Sequence, residues 1–163
     1  MPRFFLRFIF AAVLFAPTAS AVDVSRIPNG FANSKVGDWV KYRTIMGEQV
    51  MTLTSIENEG DNRVVKIQTD FFKDGEVINS LEDRIPLRSF FEAGDAPWAG
   101  NDVEIADAVV EFKGRRLDIV TIKNHDQNLI LQMSAEIPLV GFFSLAAMGD
   151  EMPVMELVDF GRE

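Results

Sequence analysis

From Val36 onward the chain alternates short β-rich runs with turn residues, and this pattern predicts a protein made almost entirely of strands. Residues 36–45 form the first run, with Val36, Val40 and Tyr42 at even positions. Met46-Gly47 is a tight turn into 49–58, where Val50, Thr52, Thr54 and Ile56 share one face. A polar loop at 59–62 leads to 63–73, and Asp74-Gly75 signals a short hairpin into 76–86. Residues 87–102 break the rhythm. They hold Gly94, Pro97, Gly100 and Trp98 among acidic residues, and they predict a long connection. Strands resume at 103–112, turn at Lys113-Gly114 into 115–124, and continue through 128–135, 142–148 and 152–160. The expected fold is mainly β: an antiparallel meander of about eight or nine strands forming a curved sheet or incomplete barrel. Several runs carry apolar residues on both faces, such as Ile119, Val120 and Ile122, or Phe142, Phe143 and Leu145. A sheet wetted on one side alternates more cleanly, so the two-sided runs predict a sheet that curls or packs on itself.

The first 21 residues, MPRFFLRFIFAAVLFAPTASA, follow a different pattern. Arg3 and Arg7 precede a short apolar stretch from Phe8 to Ala16, Pro17 ends it, and Ala19-Ser20-Ala21 fits the small-x-small site of signal peptidase. The stretch is too short for a spanning helix, which needs about 20 apolar residues. The expectation is a signal helix cleaved after Ala21, with Ala19 and Ala21 as the recognition positions. No Cys follows the apolar stretch to make a lipobox, and Arg3 and Arg7 are not adjacent. The organisation expected is a signal peptide at 1–21, a polar lead-in at 22–35 and one β domain at 36–163. The periplasm or the extracellular space is the expected location.

Charge and composition narrow the partners. The chain carries a formal charge of -9, and loss of Arg3 and Arg7 would leave 25 acidic against 14 basic side chains. Such a protein is repelled by phosphate backbones and anionic headgroups, which argues against nucleic acid. There is no cysteine, so an exported domain of this kind must be held by its apolar core. Five of the 14 phenylalanines (Phe4, Phe5, Phe8, Phe10 and Phe15) belong to the signal segment. The remaining ones include the adjacent pairs Phe71-Phe72, Phe90-Phe91 and Phe142-Phe143, and in a strand the two rings of a pair face opposite sides.

Candidate chemistry is sparse. His125 is the one histidine; it sits in a polar turn beside Asp126 and has no second soft ligand, which predicts a solvated turn residue. No Gly-x-Ser-x-Gly elbow or phosphate-cradling glycine loop is present. The acids Glu92, Asp95, Asp102, Glu104 and Asp107 surround the long connection without calcium-loop spacing, and no carboxylate pair is singled out. The expectation is therefore no catalytic residue, no metal, no cofactor and no enzyme. Trp39 and Tyr42, on opposite faces of the first strand, join Phe71, Phe72, Phe142 and Phe143 as candidate ligand contacts. The competing reading makes these same rings core.

Four segments carry a resemblance. Gly37-Asp38-Trp39-Val40-Lys41-Tyr42, Lys113-Gly114-Arg115-Arg116-Leu117, 134–141 (SAEIPLVG) and 155–161 (MELVDFG) resemble the layout of a loose group of exported bacterial β-proteins of unknown function. Ile137 stands where that group has Val, and Val140 where it has the first of two glycines. Many of its members carry a cysteine in the strand after the Lys-Gly turn, and here Asp118 and its neighbours offer none. The resemblance implies a shape like the half-open sheets of periplasmic lipoprotein carriers and lipid-binding proteins, an analogy of fold rather than of function. The expected function is a non-enzymatic binding or structural protein of the envelope, holding an apolar ligand such as an acyl chain on its curved sheet. The alternative is a partner-binding module using strand edges or the 90–102 loop, and a carboxylate enzyme ranks third.

Overall fold

The computed structural model describes residues 23–150 and 152–162; the expected signal helix and its cleavage positions Ala19 and Ala21 lie outside them. Nine antiparallel strands form one open sheet: β1 (Trp39–Thr44), β2 (Gly47–Glu59), β3 (Asn62–Lys73), β4 (Glu76–Pro86), β5 (Val103–Phe112), β6 (Arg115–Asn124), β7 (Leu129–Met133), β8 (Phe142–Ala147) and β9 (Met155–Gly161). Helical content is slight: 3-10 turns at Val24–Arg26 and Gly30–Asn33, and the single-turn helix α1 (Leu87–Phe91). No helix among the described residues is long and apolar enough to cross a membrane.

The strand order is β4-β3-β2-β1-β9-β8-β7-β6-β5. Two meanders, β1 to β4 and β5 to β9, are thus joined by an antiparallel pairing of the first and last strands, Val40 opposite Phe160 and Thr44 opposite Met155. Every pair of consecutive strands is bonded except β4 and β5. Because all pairings are antiparallel, β4 and β5 run in the same direction, so residues 87–102 must travel from one end of the sheet to the other. That is why this connection is long where the others are tight turns.

The sheet has an upper end, with the turns at 45–46, 74–75 and 125–128 and the β8–β9 connection, and a lower end, with the turns at 59–62, 113–114 and 134–141. Asp74-Gly75 (φ 54° and 83°) and Lys113-Gly114 (φ 51° and 73°) turn through the left-handed region, which suits two-residue hairpins in a twisted sheet.

One face of the sheet is the core. Val40 and Tyr42 of β1, Met51 and Leu53 of β2, Ile67 of β3, Leu131 and Met133 of β7, and Leu157 of β9 are buried there. The other face of β1 to β4 is charged and wet, with cross-strand pairs Lys41–Glu48 (2.7 Å) and Lys66–Glu57 (2.8 Å) and the pair Arg84–Glu59. Lys66 holds the Glu57 carboxyl below its ordinary range, with Ser55 helping.

The two-sided apolar runs have a local cause. In β6, Leu117 and Ile119 point to one side and Ile122 and Asn124 to the other, yet all four are at most 1% exposed and the register with β5 never shifts. The β5–β6 hairpin outruns β7, whose partners on β6 stop at Val120. Its upper half therefore packs on the common core and its lower half, by the opposite face, on the chain beyond the end of β7. There Phe112 meets Phe143 edge-on at 5.7 Å and stacks near Phe160 at 6.2 Å. The Phe142-Phe143 doublet has another origin, a register shift between β7 and β8 that leaves Phe143 without a partner on β7.

The long connection expected from the sequence is present, and it opens with one turn of helix. Pro86 precedes α1, whose Leu87 is buried, and Trp98 is 2% exposed. Phe90, Phe91 and Trp98 form an aromatic cluster with Phe31, and the Trp98 indole N–H donates to the Phe91 carbonyl (3.1 Å). Near the upper end the connection is anchored to β6 and its turn: Asn124 Nδ2 donates to the carbonyls of Pro97 and Ala99, and Gln127 Nε2 to that of Ala96.

Candidate functional site

The lower end is sealed. Two segments, the 3-10 turn at Gly30–Asn33 and residues 134–141, meet beneath the core, where Phe31, Ile137 and Leu139 are fully buried. Ser34 staples them: its hydroxyl donates to the Gly30 carbonyl (2.7 Å) and accepts the Leu139 N–H (2.9 Å). The backbones touch so closely that a Cβ on Gly30 would lie 2.6 Å from the Leu139 carbonyl oxygen and nearer still to that of Ile137. Gly141, with φ +73°, closes the turn against Ser134, whose N–H bonds back to it at 2.8 Å.

The upper end is different. Of the seven large apolar side chains exposed among the described residues, five lie there: Ile45, Met46, Val77, Ile78 and Met152. Ile45 and Met46 occupy the centre of the β1–β2 turn, where polar residues are usual. Thr44 supplies the turn's polar bonds instead, its hydroxyl donating to the Gly47 carbonyl (2.9 Å) and accepting the Met46 N–H (3.2 Å). The turn is thereby satisfied while its two apolar side chains face water. A small cleft of about 90 Å³ joins the tips of the two hairpins, lined by Met46, Phe71, Phe72, Ile78 and neighbours. That is room for about three waters or a few carbon atoms.

Several core-face side chains near the upper end are less covered than those lower down. Leu53, Ile67, Val65, Met133 and Phe142, low on the sheet, are at most 1% exposed. Phe71, Leu81, Leu129, Leu145 and Ala147, on the same face nearer the upper end, are only half-buried. Near this mouth Gln49 reaches the Met155 sulfur (3.5 Å). Farther down the same face the Thr69 hydroxyl and, opposite Ile67, one oxygen of Asp83 are buried without a hydrogen-bond partner. Burial raises the Asp83 carboxyl above its ordinary value.

The six aromatic residues singled out by sequence do not converge. Tyr42 and Phe142 are core: the Tyr42 hydroxyl donates to the Phe142 carbonyl (3.1 Å), and burial pushes its phenol far above the ordinary value. Trp39 lies over Gly161 near the lower end, its indole so close that no Cβ would fit there. Phe143 packs on Phe112. Phe71 and Phe72 alone reach the upper cleft. The rings of the 90–102 connection point inward and line the core. The apolar doublets Ile45-Met46 and Val77-Ile78, flanking turn signals, are plain in the sequence and are what a search for large aromatic side chains passes over.

The polar candidates have structural work. His125 Nε2 lies 3.2 Å from Glu104 Oε1 on the surface. Asp126 accepts the N–H groups of Asn101 (2.6 Å) and Asp102 (3.1 Å), fixing the end of the connection. No group of three or more metal-ligating side chains occurs among the described residues. Comparison with family models, curated proteins and solved structures finds no match to this chain.

Proposed function

We propose that this chain is an exported, non-enzymatic binding protein of the bacterial envelope that receives an apolar ligand at the upper end of its sheet. The observation that carries the reading is the gathering of Ile45, Met46, Val77, Ile78 and Met152 at that end, above core-face side chains left half-buried. Exposed apolar side chains gathered at one end, two of them (Met46 and Ile78) lining one cleft, cost solubility and mark contact with something apolar. The 90 Å³ cleft admits only the end of a chain, so the rest of an acyl group would lie outside it, along the half-buried core-face side chains Phe71, Leu81 and Leu145. The resemblance to exported β-proteins and the signal-like first 21 residues support the compartment.

The test is mass spectrometry of the full chain recovered after export in a bacterial host. Stoichiometric acyl or other apolar species are expected, falling several-fold in a Met46→Ser/Ile78→Ser variant. An export-competent protein carrying no apolar species, or a variant carrying as much as the original, would refute the reading.

A further inference from the structure

A second groove lies at the lower end, away from the apolar mouth. It has a volume of about 500 Å³, with Leu117 and Phe160 as its apolar floor and Asn33, Arg115, Glu136 and Arg162 among its walls. That volume falls within the range of small-molecule sites. Arg162 is held by main-chain carbonyls: Nε donates to Glu136 (3.0 Å), Nη2 to Ala135 (3.2 Å) and also to Glu136, and Nη1 to Asn33 (3.5 Å). Its position is fixed, yet no carboxylate among the described residues lies within ion-pair distance of it. Arg115 sits over the Phe160 ring, its guanidinium carbon 5.0 Å from the centroid, likewise without a carboxylate in ion-pair reach among the described residues. Of the nearby acids, Asp159 feels Lys113 and also Arg115, both of which help hold its carboxyl below the ordinary range. Asp159 is paired with Lys113 Nζ (2.8 Å), and Glu136 Oε1 accepts the Asp118 N–H (2.9 Å). In a chain of net charge -9, two guanidinium groups in one groove, with Glu136 the one carboxylate among the described residues that line it, concentrate positive charge.

We propose that this groove binds a small amphipathic anion, a carboxylate or phosphate group on an apolar body. The anionic group meets the Arg115 guanidinium, which is free to donate, while Arg162, its N–H groups largely taken by main-chain carbonyls, adds positive charge. The apolar body lies along Phe160 and the exposed Ala135, above the buried Leu117. Glu136 limits the anionic part to the arginine side and excludes long acidic ligands.

The probes are octanoate, octyl phosphate, octanol and octylamine, titrated into the isotope-labelled exported protein while backbone amide shifts are followed. Octanoate or octyl phosphate should saturate shifts at Leu117, Glu136 and Phe160, and the tighter of the two identifies the preferred headgroup. Octylamine should leave these amides unmoved, and octanol should bind them at least several-fold more weakly. Arg115→Gln should weaken the anion roughly tenfold, with Arg115→Lys recovering part of the loss. Arg115 is exposed on a strand end, and an unchanged melting midpoint separates lost binding from lost folding. Equal binding of octanol and octanoate here, no saturable shift at these amides with either anion, or an Arg115→Gln variant that binds as well as the original, would overturn the proposal. Shifts at Met46 and Ile78 report on the upper mouth and bear on that reading alone.

Discussion

The two ends of this sheet solve opposite problems with the same kind of material. The lower end brings two irregular segments together and satisfies them: Ser34 bridges Gly30 and Leu139, Phe31 and Ile137 fill the space, and Gly30 allows the backbones to touch. The upper end has equally well-bonded turns, with Thr44 closing the β1–β2 reversal, but leaves Ile45, Met46, Val77 and Ile78 facing water. Backbone satisfaction is common to both. What differs is whether apolar side chains are covered. The core is covered at the lower end and less so at the upper rim, and the proposed binding at the upper end rests on this contrast.

Both ends rest on one core, and the largest effect is expected there. Trp98→Ala, which empties the inner face of the connection, should cost about 3–5 kcal/mol by denaturant titration; a loss below about 1 kcal/mol would mean that the connection is not part of the core. The seal comes next. In Gly30→Ala the new methyl meets main-chain carbonyls at Ile137 and Leu139 rather than a yielding side chain. A loss of about 3 kcal/mol is expected, lowering the melting midpoint by roughly 6–12 °C; an unchanged midpoint would mean that the two segments do not hold this end. A finer probe of the packing between the ends is Tyr42→Phe. Loss of the donor to the Phe142 carbonyl should cost about 1–2 kcal/mol at neutral pH. Burial holds the folded phenol above its ordinary value of 10.0. Protonation is therefore favoured in the folded state, and the stabilisation is complete below pH 10.0 and lost as the pH rises above it. The Tyr42→Phe variant should lack that alkaline slope. The smallest effect on stability belongs to the upper rim: Met46→Ser and Ile78→Ser should each stay within about 0.5 kcal/mol of the original protein while removing bound apolar material.

Much of the architecture is legible in the sequence. The alternation and the turn residues place β4, β5 and β6 at their observed bounds, Glu76–Pro86, Val103–Phe112 and Arg115–Asn124, because Asp-Gly and Lys-Gly fix hairpin turns locally. Pairing of β1 with β9 is not local, and nothing between Trp39 and Gly161 announces it. The helix at Leu87–Phe91 is a single turn, too short for a 3.6-residue period to show. The two-sided run in β6 is plain in the sequence, but its cause is not, since the change of buried face depends on β7 ending early. The upper site escapes a sequence reading for a related reason. Ring size draws attention to Trp39, Tyr42 and Phe142, which the fold uses for packing, whereas Ile45, Met46, Val77 and Ile78 matter through exposure, and exposure at a hairpin tip becomes clear only once neighbouring tips are assembled at one end.

The proposal that the upper rim takes apolar ligands while the seal at Ile137 and Leu139 does not is tested most directly by methyl-labelled nuclear magnetic resonance of the protein titrated with a neutral apolar probe, 1-decanol. The account predicts saturable shifts at the methyl groups of Met46, Ile78 and Met152, with Ile137 and Leu139 in the seal unmoved. Shifts at Ile137 and Leu139 with the upper rim silent, or no saturable shift at either end, would contradict it.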